Sequence, residues 1–167
     1  MLIDDKKGSL ATLYTKMKSL NKVRKKDDFN VGDIIFQRMD TNDGLTLNDG
    51  YNTRNKYFVI VGKNTKGDAI GVCLINSNLE YHIDNPIMQK YQYTLYQKDY
   101  PSILTKDSRL DCAVLFPMRT RKSIAVKAEK VGHLTESDKN AIMPLLASCP
   151  FINEHMRRLY QIQKVHK

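Results

Sequence analysis

The 167-residue sequence has no apolar run approaching the roughly 20 residues needed to cross a bilayer, and its amino-terminal stretch has no apolar core of the secretory kind. These absences point to a cytoplasmic protein with no membrane role. Cysteine is scarce: Cys73, Cys112 and Cys149 are odd in number and far apart, with no CxxC spacing and no nearby histidine pair to complete a zinc site. They read as small core residues in a reduced compartment, not as nucleophiles or metal ligands. A glycine-rich phosphate loop is missing too, which argues against nucleotide-dependent enzymes. Low-complexity tracts and internal repeats are absent, so neither a disordered chain nor a solenoid is expected. With 41% hydrophobic residues, a chain of this length can bury a core without metal or disulfide support.

What is present in excess is positive charge. Lys and Arg number 27 against 18 Asp and Glu, a formal net charge of +9. Such a balance favours a polyanionic partner through attraction to phosphates, although it is also compatible with a basic protein that binds nothing in particular.

Three regions follow from the periodicities. In residues 1–28, Leu10, Leu13, Tyr14, Met17, Leu20 and Val23 recur at helical spacing behind Ser9 as N-cap, predicting a basic amphipathic helix. Its basic end, residues 22–26, is either an RNA contact or a solvated terminus that suits the helix dipole. Residues 29–149 form the main domain, and 150–167 a helical extension. Short strands begin with Asp33-Ile34-Ile35-Phe36-Gln37-Arg38, and a Gly- and Asn-rich loop follows over 41–54. Residues 57–61 and 69–75 are the most apolar strands, joined by Asn64-Thr65-Lys66-Gly67-Asp68 as a tight turn, and predict a central hairpin. Residues 92–97 alternate as an edge strand does, and 111–118 and 124–131 read as further strands. Thr135 caps a helix with Asp138 at its third position and Ile142, Leu145 and Leu146 on its buried face, although Pro144 argues against continuity. Pro150 opens a last helix, with Phe151, Met156, Leu159, Tyr160 and Ile162 as core contacts.

The chemistry centres on Arg109-Leu110-Asp111. Strand alternation puts Arg109 and Asp111 on one face and Leu110 behind them. The same spacing describes an ordinary same-face ion pair. The tyrosines 81, 91, 93, 96 and 100, interleaved with Lys90 and Lys98, suit base stacking and equally a half-buried edge strand. Of the histidines at 82, 133, 155 and 166, none has the spacing of a catalytic pair; His133 reads as structural, and His82 sits in a loop expected to border the groove, where a surface role fits best.

In order along the chain, Val31-Gly32-Asp33-Ile34-Ile35-Phe36, Lys56-Tyr57-Phe58-Val59-Ile60-Val61, Leu74-Ile75-Asn76-Ser77, Arg109-Leu110-Asp111-Cys112 and Val131-Gly132-His133-Leu134-Thr135 resemble the MazF/PemK (Kid) toxin family. The resemblance spans residues 31 to about 149. It implies a mainly β fold with a C-terminal helix (α+β), a small SH3-like barrel to which this chain adds N- and C-terminal helices. The implied activity is a toxin-type endoribonuclease that cuts single-stranded RNA by 2′-hydroxyl attack, without metal or cofactor. Asp111 would accept the proton and Arg109 stabilise charge, with Ser77, Asn76, Thr105, Arg54 and Lys56 binding substrate. A homodimer and an acidic antitoxin partner are implied as well. The chain departs from the family pattern at Asn76, usually Thr, and at Lys56-Tyr57, usually Arg-Pro, where Arg54 offers a substitute cation. Those departures favour an alternative: a non-catalytic barrel that binds nucleic acid or protein as a regulator.

Overall fold

Val59, Ile60 and Val61 are apolar at consecutive positions, so a strand through them buries both faces and belongs inside a sheet. The computed structural model describes residues 29–40, 53–80, 82–120 and 128–163, and places them there. Strands β2 (Thr53–Lys63) and β3 (Ala69–Asn76) pair antiparallel as the central hairpin. β1 (Asp33–Asp40) lies beside β2, and β7 (Glu129–His133) beside β1. On the other flank β5 (Ser108–Asp111) lies beside β3, and β4 (Gln92–Leu95) beside β5. Because β2 takes one edge of β3, the other is shared: β6 (Phe116–Arg119) pairs over residues 69–72, and β5 at Ile75 and Asn76. The result is a seven-stranded antiparallel sheet that stays open between β4 and β7 among the described residues. The expected N-terminal helix over 1–28 and most of the 41–54 loop lie outside those residues.

The turn between β2 and β3 is held by one side chain. Asn64 Oδ1 accepts from the backbone N–H of Asp68 and of Ala69, both at 3.1 Å, while its Nδ2 donates to Asp68 Oδ1 at 2.6 Å. Gly67 takes φ +67°, which a residue without Cβ adopts freely.

Alternation then divides the apolar residues between two layers. Val59, Val61, Cys73, Ile75 and Leu110 face a core completed by Leu95, Leu104 and the C-terminal segment. Phe58, Ile60, Ile35, Val72 and Leu74 face a second core with Phe29, Ile70, Met118 and Ala128. All three cysteines are free and buried in the first layer, where burial pushes their thiols up in pKa, so they stay protonated and unreactive.

The expected strand over 111–118 is two pieces. Asp111 Oδ1 accepts from the Ala113 N–H at 3.1 Å, which turns the chain before β6 begins. Helix α1 (Pro86–Gln89), capped by Asn85, precedes β4. Helix α2 (Glu136–Ser148) starts where expected, with Thr135 Oγ1 accepting from Asp138 N at 3.1 Å, and it runs through Pro144. An interior proline costs roughly 3 kcal/mol. Burying Ile142 and Leu146 on the same helix returns about 1.5–3 kcal/mol each, enough to hold it together.

The last helix, α3 (Glu154–Leu159), is capped by Asn153 rather than opened by Pro150. Phe151 and Leu159 are exposed, at 48% and 37%, and the core contacts are made by Ile152, Tyr160 and Ile162. Tyr160 lies across the central hairpin: its carbonyl accepts from Lys63 N at 3.2 Å, and Gln161 Nε2 donates to Lys63 O at 2.8 Å. The C-terminal extension is thus part of the main core.

Candidate functional site

β4 and β5 carry the candidate residues on a single face. In the β4/β5 register Gln92 is opposite Asp111 and Thr94 opposite Arg109, while on the other side of β5 Asn76 is opposite Arg109. One step past the Tyr57–Ile75 pair, Lys56 of β2 falls beside Asn76. Lys56, Asn76, Arg109 and Thr94 therefore form a row across four strands, with the two cations about 10 Å apart by strand spacing. Burial, and secondarily the charge of Arg54, pushes the Lys56 ammonium down in pKa.

Asp111 ends β5 and is only 2% exposed. Its Oδ1 accepts from Gln92 Nε2 at 2.7 Å as well as from Ala113 N, and its Oδ2 faces His82 Nε2 at 2.9 Å. Gln92 Nε2 also reaches the Met88 carbonyl at 3.3 Å, so its amide orientation is set by two acceptors. Its buried Oε1 has no partner among the described residues.

Arg109 is half-buried and donates through Nη1 to Gln89 Oε1 of α1 at 2.7 Å. Asp111 and Arg109 share a face but form no ion pair with one another; each is held by a glutamine, and Asp111 by His82 as well.

The remaining expected residues are spread along the sheet end. Asn76 is half-buried, and its Oδ1 accepts from Asn78 N at 3.0 Å in a local turn. Ser77 and Thr105 are both exposed at the Ser108 end of β5, away from Asp111, and Arg54 is exposed two residues along β2 from Lys56. Thr105 makes no hydrogen bond to Arg109 or Asp111.

His82 is the residue whose setting departs most from expectation. Instead of a surface position, its side chain is 16% exposed and packed against Asp111, with backbone φ +65° in the left-handed region. His, Asn and Asp tolerate that region better than most residues, but for a side chain it is still an uncommon conformation. Gln89 and Gln92 were not legible as site residues either. No spacing rule connects a histidine to an aspartate 29 residues away.

His133 Nδ1 lies 2.8 Å from Asp33 Oδ1 and joins β7 to β1, together with Lys130 Nζ, also at 2.8 Å. Of the tyrosines, Tyr93 donates to Asp138 Oδ1 at 2.7 Å and Tyr100 to Asp138 Oδ2, pinning α2 to the β4 region. Burial, with Asp138 as acceptor, pushes both phenols up in pKa. Tyr91 donates weakly to Ser148 O at 3.4 Å, and Tyr96 is exposed with Lys98 Nζ 5.6 Å from its ring centroid. Among these, Tyr96 is the one presented for stacking. Tyr81 lies outside the described residues.

Among the described residues no group of three or more His, Cys, Asp or Glu side chains is placed to hold a metal ion, and no helix is long and apolar enough to cross a membrane. No model of a known protein family matches the chain, and no curated protein matches it.

Proposed function

We propose that this chain is a metal-independent endoribonuclease of the MazF/PemK type, acting on single-stranded RNA. The observation that carries the reading is the common face of Arg109 and Asp111, continued by Asn76 and Lys56 across β3 and β2, in a chain of net charge +9. RNA carries its own nucleophile, the 2′-hydroxyl beside each phosphorus. An enzyme then needs to align it, move a proton and neutralise charge on the phosphate. Arg109 and Lys56 supply fixed positive charge, and Asp111 anchors the proton-transfer end. Arginine keeps its proton under all ordinary conditions, so Arg109 works as a charge stabiliser rather than an acid.

The finer architecture belongs to the same proposal: a small SH3-like barrel, coiled by register shifts at Ile34/Ile35 and Ile60/Gly62, with β5 and β6 sharing one edge of β3. So do a homodimer and an acidic antitoxin segment that competes with RNA for the basic face. Purified protein incubated with a defined RNA in chelator is expected to give site-selective cuts ending in 2′,3′-cyclic phosphate and 5′-hydroxyl.

One observation favours a second reading. Asp111 is buried and already accepts three hydrogen bonds, and Arg109 is engaged by Gln89, which is how a purely structural polar network is built. On that reading the chain binds nucleic acid or protein as a regulator without cutting it, and RNA is retained intact.

A further inference from the structure

We infer that His82 is the proton acceptor of this site and Asp111 its positioning partner, a division of labour that rests on the ribonuclease reading. A general base has to reach the proton it removes, to within hydrogen-bond distance or through one water. Asp111 is poorly placed to do so. Its side chain is 2% exposed, and Gln92, Ala113 and His82 already occupy three of the about four acceptor positions of a carboxylate. The imidazole of His82, 16% exposed, lies between that carboxylate and the outside.

The contact also defines the tautomer. A carboxylate offers only acceptors, so His82 Nε2, 2.9 Å from Asp111 Oδ2, is the donor of that bond and Nδ1 becomes the basic nitrogen of the neutral ring. Asp111 is in turn fixed from both sides by Gln92 Nε2 and Ala113 N, so it directs the ring rather than following it. A histidine held at φ +65° in a short turn between β3 and α1 is a backbone strain that pairing with Asp111 offsets.

In the reaction His82 Nδ1 takes the proton of the 2′-hydroxyl as its oxygen bonds to phosphorus. The bond from phosphorus to the 5′ oxygen breaks, and that oxygen takes a proton from water while Arg109 offsets the charge on the phosphate. The imidazolium then returns its proton to solvent, leaving a 2′,3′-cyclic phosphate and a 5′-hydroxyl. The charged groups around His82 are Asp111 in contact, Arg109 on the same face of β5, and Glu80 and Asp84 in its own turn; Gln92 from β4 is neutral.

The test compares wild type with His82→Asn, which tolerates the left-handed backbone and keeps a donor toward Asp111. Cleavage of a defined RNA in chelator is followed from about pH 5 to 8, the range in which histidine as a residue type changes charge. RNA affinity is measured alongside, and the imidazole tautomer is read from ring nitrogen NMR shifts. His82→Asn is expected to lower the rate about 10²–10⁴-fold, to leave affinity within about twofold and to abolish the acid limb of the profile. Asp111→Asn is expected to lose the Nε2–H tautomer signal. Cleavage by His82→Asn at the wild-type rate and with the wild-type profile overturns the role of His82 while leaving the ribonuclease reading in place. No cleavage by wild type across varied RNAs overturns both, even where the Nε2–H tautomer is found.

Discussion

Gly62 is a position where the sign of a substitution is decided by a single neighbour. Within a strand, replacing glycine by alanine ordinarily stabilises by roughly 0.5–1 kcal/mol, because the unfolded chain loses freedom. At Gly62 a Cβ would stand 2.5 Å from the carbonyl oxygen of Tyr160 and 2.6 Å from its Cβ. Those are atoms at the root of the residue, which no rotamer change can move away. The C-terminal segment has to shift, and with it the Lys63 N–H to Tyr160 O bond and the burial of Tyr160 and Ile162. Overpacking of this kind costs about 1–3 kcal/mol, and detaching a buried large side chain about 1.5–3 kcal/mol. A net loss of about 2–3 kcal/mol is expected for Gly62→Ala, a drop of roughly 5–10 °C in Tm for a chain of this size. Gly71→Ala meets only the Tyr160 ring at 3.1 Å and the Leu115 side chain at 3.0 Å, both able to yield, and is expected to cost less. Urea and thermal unfolding of the two variants measure this directly. A neutral or stabilised Gly62→Ala would refute the packing of the C-terminal segment on the hairpin.

Other perturbations test separate parts of the account. Burial alone would raise the Asp33 carboxyl, but the Lys130 ammonium, the Asn30 N–H at 2.8 Å and His133 together hold it below its ordinary value. Its contribution is therefore present above the unfolded carboxylate value of about 3.9 and is lost as pH falls through the lower folded value. Urea midpoints measured from pH 7 down to 3 should fall less steeply in Asp33→Asn, from a lower starting stability. Tyr93→Phe removes a hydrogen bond to Asp138 and is expected to cost about 1–3 kcal/mol with RNA affinity unchanged; a loss of RNA affinity without a loss of stability would return Tyr93 to a stacking role. Lys56→Ala should weaken RNA binding and reduce the slope of log affinity against log salt by about 0.7, as read by titrations at several salt concentrations.

Much of the sheet was legible because its signals are local. Consecutive apolar residues at 59–61 and 70–75 around Asn64 and Gly67 specify a central hairpin, and the alternation from Gln92 to Leu95 an edge strand that pairs only with β5. Thr135 and Asp138 marked the start of α2 through a cap that spans three residues. The C-terminal contacts were harder to read. Apolar character does not distinguish exposed Phe151 and Leu159 from buried Tyr160 and Ile162, since the difference lies in the close approach that Gly62 and Gly71 permit. The shared face of Arg109 and Asp111 follows from strand alternation, whereas their partners do not. His82, Gln89 and Gln92 arrive through the fold of the segment between β3 and β5, and a histidine 29 residues from its aspartate leaves no periodic trace.

The central claim is that the face carrying Arg109 and Asp111 cleaves RNA without metal. The most direct measurement incubates wild type, Arg109→Ala and Asp111→Asn with one defined RNA in chelator and maps the ends of every product. Site-selective cuts by wild type, carrying 2′,3′-cyclic phosphate and 5′-hydroxyl ends and falling at least about a hundredfold in both variants, are the expected result. Cleavage undiminished in both variants, or RNA bound by wild type and returned intact, would contradict it.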